Sequence, residues 1–175
     1  MRQFCALLLG ILGFYSVGES QQRLQIGSDS AIVADMGRAS DVYMSGRLEK
    51  AIPLYRSVYD REITHRTLTP AFWRVLVDNL GMAYGITGNL DSAEAIFRYG
   101  IRSDSTYPLF YYNLACTFAE RNDMEHAIEQ LTQAYAFKKN MMPGEAFPDP
   151  ATDDSFKRFL GNKQFKEFLK KVQED

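Results

Sequence analysis

Apolar residues between Pro70 and Thr87 fall at i, i+3, i+4 and i+7, the spacing of one face of a helix. The pattern stops at Gly88, a residue that enters the left-handed conformation at little steric cost and so closes a helix. Leu90 follows beyond the turn. Then comes Asp91, an acid where the positive end of a new helix favours one, and Ala93, small where two helices must approach closely. These signals predict two antiparallel helices joined by a tight turn.

The same signals return. Asn79-Leu80-Gly81 and Tyr84 reappear as Asn113-Leu114-Ala115 and Phe118, and Gly88, Ala93 and Phe97 as Asn122, Ala127 and Leu131, all at a shift of 34. An earlier copy aligns Gly46-Arg47-Leu48-Glu49-Lys50-Ala51 with Gly88-Asn89-Leu90-Asp91-Ser92-Ala93 at a shift of 42, so the first unit holds eight extra residues. They are expected between Ile63 and Thr69, as helical turns or as a loop. Pro53 falls early in its helix, where a missing N–H is tolerated with a slight kink at most.

Leu80-Gly81-x2-Tyr84, then Ala93-x3-Phe97, then Pro108, resembles the tetratricopeptide-repeat signature, and 34 residues is that family's step. The third copy (Leu114-Ala115, Phe118, Ala127, Leu131) matches nearly as well; the first departs at Arg38 and Val42 but keeps Ala39, Ala51 and Tyr55. The resemblance implies an all-α fold, a solenoid of about three helix-turn-helix repeats over 31–68, 70–107 and 108–140.

The tail reads as a cap. Residues 141–152 are rich in proline (Pro143, Pro148, Pro150) and predict a loop. Over 153–173 two short amphipathic helices are expected, one with Phe156, Phe159 and Leu160 on a face, the next with Phe165, Phe168, Leu169 and Val172. A solenoid needs such an element to bury its last open face. Lys157, Arg158, Lys163, Lys166, Lys170 and Lys171 are mostly offset by Asp153, Asp154, Glu167, Glu174 and Asp175, so a solvated face is expected rather than a membrane-surface helix.

The N-terminus changes the cellular picture. Arg2, the uncharged run Phe4 to Val17 and the small residues Ser16, Gly18 and Ser20 predict a secretory signal peptide over 1–20, followed by a short or disordered linker over 21–30. The run is shorter than the ~20 residues that span a bilayer. Export to the periplasm or medium is therefore expected, with an uncleaved membrane anchor as the alternative. Cleavage removes Cys5 and leaves Cys116 alone, which excludes an internal disulfide and predicts a small buried apolar residue.

Composition then narrows the function classes. The 175 residues are 46% apolar and carry a net charge of −2, a globular composition without the basic surface that nucleic acid requires. His65 and His126 are isolated, and no nucleophile, phosphate-loop or metal-protease motif occurs. Asp149, Asp153 and Asp154 lack the glycine and closing glutamate of a calcium loop. A non-enzymatic protein is expected, without cofactor or metal.

The family resemblance implies a concave groove lined by the first helix of each repeat. It implies Val75, Asp78, Asn79 and Met82 from the second repeat, and Leu109, Tyr112, Asn113, Cys116 and Glu120 from the third, as groove residues binding a peptide or helix of a protein partner. Asn79 and Asn113 occupy equivalent places; they either grip an extended backbone or bond within their own repeats. Asp78 and Glu120 make the groove neutral or acidic, so a partner gripped by its terminal carboxylate is not expected. The rival expectation is a structural subunit or homo-oligomer whose groove is permanently filled.

Overall fold

Three turns built alike divide the chain. In each, a residue with positive φ follows a helix: Gly46 at 75°, Gly88 at 85° and Asn122 at 62°. In each, its N–H and that of the next residue reach back to the preceding helix. Gly46 donates to Tyr43 O and Arg47 to Val42 O, Gly88 to Gly85 O and Asn89 to Tyr84 O, Asn122 to Ala119 O and Asp123 to Phe118 O. This pair of bonds satisfies carbonyls that a helix end otherwise leaves open. Asn89 and Asp123 then cap the following helices by accepting from Ser92 N and His126 N.

The structure, a computed structural model, describes residues 30–174. The expected signal peptide and nearly all of the expected linker lie outside the described residues. Seven α-helices follow in order: α1 (Ser30–Met44), α2 (Leu48–Thr64), α3 (Pro70–Ile86), α4 (Leu90–Ser103), α5 (Pro108–Glu120), α6 (Met124–Ala136) and α7 (Lys163–Glu174). No strand occurs among the described residues. The fold is an all-α solenoid of helical hairpins: α1–α2, α3–α4 and α5–α6 pack as antiparallel pairs, each stacked on the next, with α3 also touching α1 and α5.

Close approach is set by small residues. Ala51, Ala93 and Ala127 are fully buried at the crossing of each pair. A Cβ on Gly81 would come within 2.5 Å of the Phe97 ring, and one on Gly100 within 2.9 Å of Phe110, so backbone and ring share the space a side chain would fill. Arg38 stands at the register of the buried Leu80 and Leu114, yet it is exposed and pairs with Asp35. Pro53 sits inside a continuous α2.

The eight extra residues of the first unit are not one insertion. α2 has 17 residues against 14 in α4, and α3 has 17 against 13 in α5, leaving a single extra residue for the connection 65–69. Helix extension wins because Glu62, buried at the end of α2, closes the short turn itself. Its Oε1 accepts from Thr67 N and Thr67 Oγ1, and its Oε2 from Leu68 N.

The first short helix of the tail, Asp154–Phe159, is a 3-10 helix; it packs on α5, while α7 packs on α6. Asp153 caps it by accepting from Ser155 N, and the tighter coil still buries Phe156 and Phe159 against Phe165 of α7, which packs in turn on Phe168. The lysines of this region are exposed; Lys157 pairs with Asp154 at 2.5 Å and Lys163 with Glu167 at 3.8 Å.

Candidate functional site

The residues that the family resemblance sets in the groove come together on the first helices of the second and third pairs. Val75 and Glu120 are half-buried; Asp78, Asn79, Met82, Leu109, Tyr112, Asn113 and Cys116 are buried. Two layers cover them. On one side the first pair reaches in: the Tyr43 hydroxyl lies 3.9 Å from Met82 Sδ, and Tyr55 meets Asn79. On the other side the covering is the chain's own tail.

The asparagines neither stand free for a ligand nor bond within their own pairs. Each donates backward to the preceding pair. Asn79 Nδ2 donates to Tyr55 Oη at 2.9 Å, and the Tyr55 hydroxyl in turn meets Ser40 Oγ at 2.9 Å. Burial pushes the Tyr55 hydroxyl up to about 12, so it remains a neutral donor. Asn113 Nδ2 donates to Asp78 Oδ1 at 2.6 Å. Each amide donates to a buried oxygen of the preceding pair, so these positions lock one repeat to the next.

The tail crosses the third pair as a strap. Asn140 Nδ2 donates to Thr106 O, and Met142-Pro143-Gly144-Glu145 then form a turn closed by Glu145 N to Met142 O at 3.1 Å. Pro143 and Gly144, with Gly144 at φ 88°, suit the central positions of a type II turn. The turn aims Glu145 inward: its Oε1 accepts from the Tyr107 hydroxyl at 2.6 Å and its Oε2 from Met142 N at 2.9 Å. Phe147 lies edge-on to Tyr112 and Tyr135, with ring centroids 5.7 and 4.9 Å away. Farther on, Asp153 Oδ2 accepts from the Tyr112 hydroxyl at 3.1 Å, with Cys116 Sγ 3.9 Å from the same oxygen. Cys116 is buried, and no disulfide forms among the described residues.

Electrostatics concentrate where the strap meets α3. Burial raises the Asp78 carboxyl to about 7; the Asn113 bond pulls it down and the charge of Glu145 pushes it further up. Burial also raises Glu145, against its bonds from Tyr107 and Met142 and the opposite charge of Arg74. Burial and the two neighbouring carboxylates hold the Tyr107 hydroxyl well above its ordinary range. Arg74 lies over the Tyr107 ring, 4.7 Å from its centroid, and binds Asp104 Oδ2 through Nε at 2.8 Å and Nη2 at 2.7 Å. Arg74 and Tyr107 thus belong to the face although they precede the repeat signature residues. The one sequence cue was the Tyr107-Pro108 step, where Pro108 fixes the start of α5 and leaves Tyr107 at its N-cap.

No helix among the described residues is long and apolar enough to cross a membrane. No curated protein matches the chain. The family model described as tetratricopeptide repeat matches residues 77–107 and 109–140, which are the α3–α4 and α5–α6 pairs without the first turns of α3. Residues 77–140 thus hold two tetratricopeptide repeats in succession, stacked at that family's step.

Proposed function

We propose that the chain is an exported, non-enzymatic scaffold that binds a segment of a protein partner on the concave face of its repeats. Tetratricopeptide repeats generally mediate protein–protein interaction, and a fold alone does not name a partner. The observation that carries the reading is the strap. The face formed by α3 and α5 receives an irregular stretch of chain through side-chain bonds from Tyr107 and Tyr112 and an aromatic seat for Phe147. A surface that holds one such stretch offers the chemistry to hold another. Export rests on the charged start, short apolar run and small-residue exit of the first twenty residues.

A photo-crosslinking side chain at Val75 or Glu120, the half-buried members of the row, is expected to trap a discrete partner in the native envelope fraction. The same probe at Ala95, exposed on α4, is expected to trap none. Equal adducts at all three positions contradict a concave site. N-terminal sequencing of the recovered protein tests export, with a start at or near residue 21 expected.

The second reading, a structural subunit with its groove permanently filled, draws support from the same strap, which already covers Tyr112 and Cys116. Mass measurement at micromolar concentration separates the two: a monomer supports the scaffold, a stable oligomer the subunit.

A further inference from the structure

The second helices of the stacked pairs, α2, α4 and α6, run parallel, so their C-terminal ends share one edge of the solenoid. Contacts along that edge fix the alignment. Tyr59 of α2 meets Tyr99 of α4 with ring centroids 5.1 Å apart, and Asn140, just past α6, donates to Thr106 O in the connection after α4. Charge follows the same axis. Each of these helices opens on an acid, Glu49, Asp91 or Glu125, and Arg61 and Arg102 close the first two, as the helix dipole favours. Stacking sums these preferences, and the bases that follow the helices, Arg66 after α2 and Lys138 and Lys139 after α6, fall on the same edge. A chain with a net charge of only −2 is thereby polarised.

Arg66, Arg102, Lys138 and Lys139 are exposed, and none pairs with a carboxylate among the described residues. The acids nearby are taken: Asp60 is bound by Arg56, Asp35 by Arg61 and Asp104 by Arg74. Glu62 and Glu145 turn inward, and Asp149 accepts from Ala151 N. Rings hold two of the cations without neutralising them. The Arg66 guanidinium lies 4.0 Å from the Trp73 centroid, and Lys138 Nζ lies 5.5 and 5.4 Å from those of Tyr135 and Phe147. In the last turn of α2, Ile63 is 48% exposed, one of the two most exposed large apolar side chains among the described residues.

We infer that this edge seats the protein on an anionic lipid surface, its cations facing the phosphate headgroups and Ile63 entering the interfacial layer. Helix ends and connections form the edge, so it offers a row of separate charges to a flat array rather than walls to a peptide. An acidic protein would match the charges but leaves the exposed isoleucine without a role, whereas a lipid interface takes both. Each cation near such a surface contributes about fivefold in affinity, and salt screens the attraction.

Vesicles of phosphatidylcholine mixed with phosphatidylglycerol are sedimented with the full chain, and vesicles of phosphatidylcholine alone give the baseline for anything the N-terminal apolar run contributes. Binding to the anionic vesicles is expected above that baseline and falls as salt is raised. Arg102→Gln/Lys139→Gln removes two cations that no ring holds and is expected to weaken binding at least about tenfold. Ile63→Ser is expected to weaken it while leaving its salt dependence unchanged. Arg47→Gln/Lys50→Gln, an equal loss of charge at the opposite edge, is expected to bind as wild type does. Should Arg102→Gln/Lys139→Gln lose its helical circular dichroism, Lys139→Gln alone, expected to weaken binding about fivefold, takes its place. Equal binding to the two kinds of vesicle overturns the inference, as do an equal loss in the two charge variants and an Ile63→Ser variant that binds as wild type. Binding to soluble polyglutamate with none to the anionic vesicles assigns the edge to an acidic protein and overturns it as well.

Discussion

Asp78→Asn isolates the energetics of the buried face. Asn is nearly isosteric and keeps an oxygen where Asp78 Oδ1 accepts from Asn113 Nδ2 at 2.6 Å, so the bond between the second and third pairs survives. What is lost is the titration. Folded Asp78 holds its proton up to about pH 7, whereas the unfolded chain releases it near the ordinary carboxyl value of 3.8. The folded state therefore binds more protons in that interval, and stability falls as pH rises by about 1.4 kcal/mol per unit. Between pH 5 and 8 this amounts to about 3 kcal/mol, with Glu145, also raised, adding in the same direction. Glu94 and Asp104, whose arginine partners lower them, act oppositely but below this window. Urea unfolding at pH 5 and pH 8 is the assay. Wild type is expected to lose stability across the interval, and Asp78→Asn to lose far less and to be the more stable protein at pH 8. Refutation is a variant whose pH profile matches wild type, or one that is weaker at pH 8.

Gly81→Ala forces a Cβ to 2.5 Å from the buried Phe97 ring and is expected to destabilise by about 1–3 kcal/mol. The third repeat carries Ala115 and Leu131 at these registers, so Phe97→Leu is expected to recover part of that loss, a coupling of at least about 0.5 kcal/mol in a double-mutant cycle. Gly88→Ala, at φ 85°, is expected to lose about 1 kcal/mol in the same assay, whereas Asn122→Gly, at φ 62°, leaves stability unchanged or higher. Glu62→Gln leaves one of three donors from Thr67 and Leu68 facing an amide, and a loss of about 1–3 kcal/mol in thermal or urea unfolding checks that the turn 65–69 hangs on this carboxylate.

The helical pairs were legible because their signals are local: a left-handed turn residue, an acid after it, an alanine at the crossing, all repeated at a fixed step. Gly88 and Asn122 perform the same task with different side chains, and only the shared register reveals it. The division of the extra residues among α2, α3 and the turn was not legible, because it depends on where the Glu62 carboxylate lands once α2 has formed. Asn79 and Asn113 were found as equivalent positions, but their partners Tyr55 and Asp78 lie 24 and 35 residues away and answer to packing, not spacing. The strap had the plainest composition and the least predictable role. Three prolines and a glycine announce a loop, yet nothing local says that Glu145 will turn inward onto Tyr107. A hydroxyl can receive a carboxylate without any basic cluster, and a search for charged clamps passes it over.

The account stands on the strap lying across the third repeat, and proton NMR of the full chain tests this most directly. Cross-relaxation between the Tyr112 ring and the rings of Phe147 and Phe156, whose centroids lie 5.7 and 5.9 Å away, is expected alongside the contacts between α5 and α6. Strong α5–α6 contacts with no Tyr112–Phe147 signal would contradict it.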